Sequence, residues 1–130
     1  MDNFVKYEIS SGGAASEQKG ACVGGDGVSN TFTTGSIDVG SKLATHYVIA
    51  WYTNAVSGGT KYWNWKLQGS ANNSSWTDIA SGQKSAAKNT SGYGTIENSL
   101  STTYRYYRLQ FSQSGPGSVQ STGSLTIMYS

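Results

Sequence analysis

Hydrophobic and polar positions alternate along much of this chain with the period of a β-strand, and no helical period is sustained. In Lys61 to Gly69, Trp63, Trp65 and Leu67 fall on one side, while Tyr62, Asn64, Lys66 and Gln68 fall on the other. Tyr107, Leu109 and Phe111 repeat the pattern within Tyr104 to Phe111, and Leu125, Ile127 and Tyr129 repeat it at the C-terminus. Thr45 to Thr53 sets Tyr47, Ile49 and Trp51 against His46, Val48, Ala50 and Tyr52, which predicts a central strand covered on both faces. At the N-terminus Val5, Tyr7 and Ile9 alternate with Phe4, Lys6 and Glu8. Thr31 to Val39 carries short β-favouring pieces, and Tyr93 to Leu100 reads as a short strand.

Turn chemistry separates these pieces. Ser57-Gly58-Gly59-Thr60 predicts an antiparallel hairpin joining Thr45–Thr53 to Lys61–Gly69. Gly69 to Ser75 and the segment around Pro116 are further turns, with Trp76 and Ile79 restarting apolar packing after the first. Ser10 to Gly27 and Ser81 to Ser91 show no period and read as loops. Short strands between Gly/Ser turns predict an all-β fold, an antiparallel β-sandwich or jelly roll. At 130 residues, one domain over 1–130 is expected.

Composition sharpens this picture. With 4 Trp, 9 Tyr and 3 Phe and little Leu, the core must be built from rings. Charged residues are only 12% of the chain, about half of what soluble domains usually carry, so Ser, Thr, Asn, Gln and Gly must keep the surface wet. The net charge is +2 and the basic residues are scattered, which argues against nucleic acid as a partner. The single cysteine, Cys22, leaves no intrachain disulfide. No secretory signal and no apolar run of membrane-spanning length is visible.

Nothing marks an enzyme. The acids Asp2, Glu8, Glu17, Asp26, Asp38, Asp78 and Glu97 are dispersed, and neither a nucleophile elbow nor a phosphate loop occurs. The only histidine, His46, lies inside an apolar strand and reads as a wall or core residue.

Trp65-Lys66-Leu67-Gln68-Gly69-Ser70 with Trp76-Thr77-Asp78, then Tyr106-Tyr107-Arg108-Leu109-Gln110-Phe111, resembles the discoidin-like, or galactose-binding-like (factor 5/8 type C-like), β-sandwich family. Gly25-Asp26-Gly27 followed by Thr31-Phe32 is similar to that family's Asp-Gly turn. The resemblance implies a galactose-binding-domain-like fold and a binding module. In sugar-binding members that turn helps to hold calcium. Here no acid precedes the last strand, so Asp26 would make only a weak calcium site, and no cofactor is expected. The family places ligand contacts on loops at one end of the sandwich. Tyr93, flanked by Gly92 and Gly94, and Trp51, Tyr52 and Asn54 are the candidates here, although Trp51 also reads as a core residue.

Two functions follow. A module without signal or disulfides suits a bacteriophage virion surface protein, a capsid decoration, cement or tail-fibre component made in the host cytoplasm. It would act by docking to a capsid or tail lattice and by forming homo-oligomers, plausibly trimers. The alternative is a carbohydrate-binding, lectin-like adhesion module, cytoplasmic or extracellular, with glycans as partners.

Overall fold

A computed structural model describes residues 5–8, 14–24, 30–53, 59–87, 90–101, 103–114 and 119–129; at 5–8, 14–24, 30, 61, 119 and 120 it describes the backbone alone. The described elements are β1 (Val5–Glu8), β2 (Ala14–Gly24), β3 (Asn30–Thr33), β4 (Ile37–Asp38), β5 (Ala44–Thr53), β6 (Lys61–Ser70), β7 (Thr77–Ala86), β8 (Gly92–Ser99), β9 (Tyr106–Ser114) and β10 (Val119–Tyr129). The first sheet runs β1-β2-β10-β5-β8. The second runs β3-β9-β6-β7, with β4 also paired to β9. Every pairing is antiparallel.

The alternating residues meet between the sheets. Tyr47, Ile49 and Trp51 of β5 and Leu125, Ile127 and Tyr129 of β10 face Trp63, Trp65 and Leu67 of β6 and Tyr107, Leu109 and Phe111 of β9 in one buried cluster. Rings join the layers. Trp63 stacks on Trp51 at 6.0 Å between centroids and on Phe111 at 5.2 Å, and Tyr47 tilts over Trp65 at 6.3 Å. Gly123 makes room for this stack, since a Cβ there would come within 2.9 Å of both Trp63 and Phe111. Toward one end the core turns polar: buried Ser121 Oγ donates to Gln113 Oε1 of the opposite sheet at 2.8 Å and lies 3.3 Å from Thr53 Oγ1.

Four expectations are corrected. Ser10–Gly27 contains a strand of 11 residues, β2, paired with β10 along its whole length and with β1. Its Ala-Ser-Gly composition carries no side-chain period, and the two neighbouring backbones supply the order instead. Ser81–Ser91 likewise contains most of β7, polar because it is an edge strand with one partner. The Thr45–Thr53/Lys61–Gly69 hairpin does not form. β5 pairs with β10 and β8, and β6 pairs with β7 and β9, so the chain crosses between sheets. That crossing lets Trp51 and Trp63 stack face to face across the sandwich. Finally, β5 is covered on one face only: Val48 and Ala50 are half-buried and Tyr52 is exposed. His46 is exposed too, its Nδ1 3.2 Å from Thr45 Oγ1, and is neither wall nor core.

An exposed clip fastens β4 to the start of β9. Arg105 donates to Asp38 through Nε at 2.9 Å and Nη2 at 3.0 Å, and the Gly40 N–H adds a bond to Asp38 Oδ1 at 2.8 Å. The Arg105 guanidinium holds the Asp38 carboxyl below its ordinary value. A lowered carboxyl contributes stability above its unfolded pKa of roughly 3.9 and loses it as pH falls through the lower folded value. Asp38→Asn should therefore cost under about 1 kcal/mol at neutral pH, the range of exposed pairs. The gap between wild-type and variant melting temperatures should close as pH is taken below about 3.9. A gap that persists at pH ~2 would assign the loss to packing instead.

Candidate functional site

The residues of the second sheet that point away from the core form a polar floor. Cross-strand register sets Thr31, Ser112, Asn64 and Gln83 in one row and Thr33, Gln110, Lys66 and Ser81 in the next. A bulge opposite Leu67/Gln68 shifts β7 by one residue. It lets both Ile79 and Ala80 pack against the core while Asp78 stays opposite Gln68 on the outer side.

The floor is wired side chain to side chain. Gln83 Nε2 donates to Asn64 Oδ1 at 2.7 Å, and Asn64 Nδ2 donates to Ser114 Oγ at 3.4 Å. Gln110 Nε2 donates to Thr33 Oγ1 at 3.2 Å. In the next row Arg108 Nε donates to Gln68 Oε1 and Gln68 Nε2 to Asp78 Oδ1, each at 2.8 Å. Gln68's amide, helped by Lys66 3.6 Å away, lowers the Asp78 carboxyl below its usual range. The Arg108 guanidinium lies 4.1 Å from the centre of the Trp76 ring, and its burial disfavours the charged form.

Over the Asn64–Gln83 and Lys66–Gln110 rows the surface dips into a groove of about 600 Å³. Tyr62, 37% exposed, stands beside Asn64 on β6. One row beyond Lys66–Gln110 stands Arg108, and Trp76, which packs against it, is carried on a built turn. Ser70 Oγ accepts from the Asn72 and Asn73 N–H groups, Asn72 Oδ1 accepts from Ser74 and Ser75, and Asn73 takes φ of 61°.

The predicted ligand residues lie elsewhere. Tyr52 and Tyr93 are directly opposed between β5 and β8 on the outer side of the first sheet, 39% and 76% exposed. Trp51 points inward, 9% exposed, and belongs to the core, so it offers no ring to a ligand. Its indole explains the Gly-Tyr-Gly sequence: a Cβ at Gly92 or Gly94 would meet it at 3.0 or 3.1 Å. Asn54 and Asp26 lie outside the described residues. Cys22 falls on β2, opposite Ser121.

Sequence reasoning missed the groove. The outward parity of Asn64, Lys66 and Gln68 is readable, but their partners Ser81 and Gln83 lie in a stretch whose polar side chains carry no period. Among the described residues no group of three or more His, Cys, Asp or Glu is placed to hold a metal. Among them, too, no helix is long and apolar enough to cross a membrane.

No protein-family model and no curated protein matches the sequence. Among solved structures the chain is similar to the PBSX exported protein XepA, with a TM-score of 0.52 and 14% identity over 84% of this chain and 36% of that one. The chain thus spans little more than a third of XepA, and the likeness is one of fold. It is also similar to a CBM4 protein (TM-score 0.49, 12% identity, 99% of this chain and 79% of that one). A third is TmCBM61 solved with β-1,4-galactotriose (TM-score 0.48, 10% identity, 95% and 87%). The chain is an all-β protein of antiparallel β-sandwich architecture, and carbohydrate-binding modules stand among its structural neighbours.

Proposed function

We propose that this chain is a non-enzymatic binding module, one β-sandwich domain over 1–130, which holds a saccharide along the outer face of the second sheet. The observation that carries the reading is the groove itself: a depression floored by amide and hydroxyl groups already hydrogen-bonded to one another. Sugars present rows of hydroxyls that both donate and accept. A pre-wired floor meets them with little ordering cost, and Tyr62, exposed beside Asn64, offers ring surface. The reading requires no cofactor.

Asn64 links Gln83 to Ser114, so Asn64→Ala should weaken sugar binding by about three- to tenfold, the worth of one or two neutral hydrogen bonds. Melting temperature should barely move, because Asn64 lies outside the core. A glycan array followed by calorimetry on the strongest ligand checks this. No signal on any sugar removes the reading.

A second reading is favoured by the opposite face. Tyr52 and Tyr93 form an exposed aromatic pair on a surface otherwise rich in Thr and Ser. Docked there, the protein would be a phage virion surface component, a capsid decoration, cement or fibre protein outside the particle, self-associating as a trimer and leaving the groove free. Size-exclusion chromatography with light scattering tests this reading; a clean monomer at high concentration counts against it.

A further inference from the structure

The row beside the groove, past Lys66–Gln110, differs from its amide floor. Arg108 stands one row past Gln110 on β9, with Lys66 diagonal to it on β6. Its guanidinium is fixed twice, by the Trp76 ring it packs against and by the Nε bond to Gln68, which Asp78 holds in turn. Both Nη groups are left without an acceptor among the described residues, and no described carboxylate lies within ion-pair reach of Arg108. The carboxylate wired into this end, Asp78, is already committed. Its Oδ1 takes the Gln68 amide, and its Oδ2 lies 3.6 Å from Lys66. Two cations therefore face one acid. Partial burial of the guanidinium makes the missing counter-charge more costly.

We infer that the groove selects saccharides bearing a carboxylate, uronate residues, gripped by the Nη edge of Arg108 with Lys66 beside it. This rests on the saccharide reading above and names its ligand class. A planar guanidinium held on an aromatic ring matches a carboxylate with two parallel hydrogen bonds, where a flexible lysine supplies only a point charge. A saccharide is favoured over an acidic peptide because the charged end continues into a row of amides and hydroxyls, not into an apolar or strand-pairing surface.

The test titrates the full chain with oligomers of galacturonate, glucuronate and mannuronate. Each is compared with its methyl ester, which keeps the backbone and removes the charge. At least one acid should bind about tenfold or more tighter than its ester, the worth of a charge-assisted pair, and the preference should shrink as salt is raised. Arg108→Gln should abolish the preference, whereas Asn64→Ala should weaken acid and ester alike. Equal binding of acid and ester overturns this inference and leaves the saccharide reading standing. Binding of poly-glutamate as tight as the best uronate overturns it too, because the site would then read charge alone. No binding of any sugar removes both. Arg108→Gln also loses packing on Trp76, but the wild-type comparison of acid with ester needs no variant.

Discussion

Trp63→Ala should destabilise the protein by about 3–5 kcal/mol. Trp63 is fully buried, and its ring is one of those through which the two sheets touch. It stacks on Trp51 of the first sheet and on Phe111 of its own. Alanine leaves a void that neither neighbour can fill, since each is held by its own strand. Against a total stability of roughly 5–15 kcal/mol the loss approaches the threshold for folding. In urea, with a slope of about 2 kcal/mol/M, the midpoint should fall by about 2 M. The indole Nε1 has no acceptor among the described residues, so Trp63→Phe sacrifices area but no hydrogen bond and should fall well short of the alanine loss. Equal effects from the two substitutions would show that the indole is held by something other than packing.

Gly123→Ala should lose stability at a position where simpler reasoning predicts a gain. Among the described residues only Gly40 and Gly59 are glycines with positive φ, so the backbone at Gly123 suits any residue. Replacing such a glycine ordinarily stabilises by about 0.4–1 kcal/mol by restricting the unfolded chain. Here the added methyl would meet Trp63 and Phe111 at 2.9 Å, and both rings are buried with no room to withdraw. The strand cannot retreat either, because β10 is paired to β2 on one side and β5 on the other. Overpacking of this kind costs about 1–3 kcal/mol, enough to reverse the sign, and Gly123→Val should cost more. Thermal melts of wild type, alanine and valine variants would show a descending series. A rise with alanine would mean that the ring stack yields more easily than its geometry implies.

What the sequence disclosed followed the side-chain period. Strands β5, β6, β9 and β10 bury rings and branched residues at every second position, and their inward faces were readable residue by residue. β2 and β7 were not, for a shared reason: their residues are small or polar, and what makes them strands is the ladder offered by β10 and β6. The crossing between β5 and β6 was illegible because Gly-rich turns serve hairpins and sheet-to-sheet crossings alike. The groove was hidden by the same gap. Its floor takes residues from strands separated by as much as 81 positions in the chain, from Thr31 to Ser112, and one of its walls lay in β7. Tyr93 was legible because a ring between two glycines stands out in a polar chain. The close fit of Trp51 was not legible, because the glycines that make room for its indole lie on β8, distant in the chain.

The groove and the tyrosine pair lie on opposite outer surfaces of one slab. A scaffold that holds many copies by the tyrosines would turn every groove outward, at a fixed spacing set by the scaffold. A long polysaccharide could then engage several copies together, each contact raising the local concentration for the next. Weak attachment at a single copy would become tenacious adhesion by avidity alone.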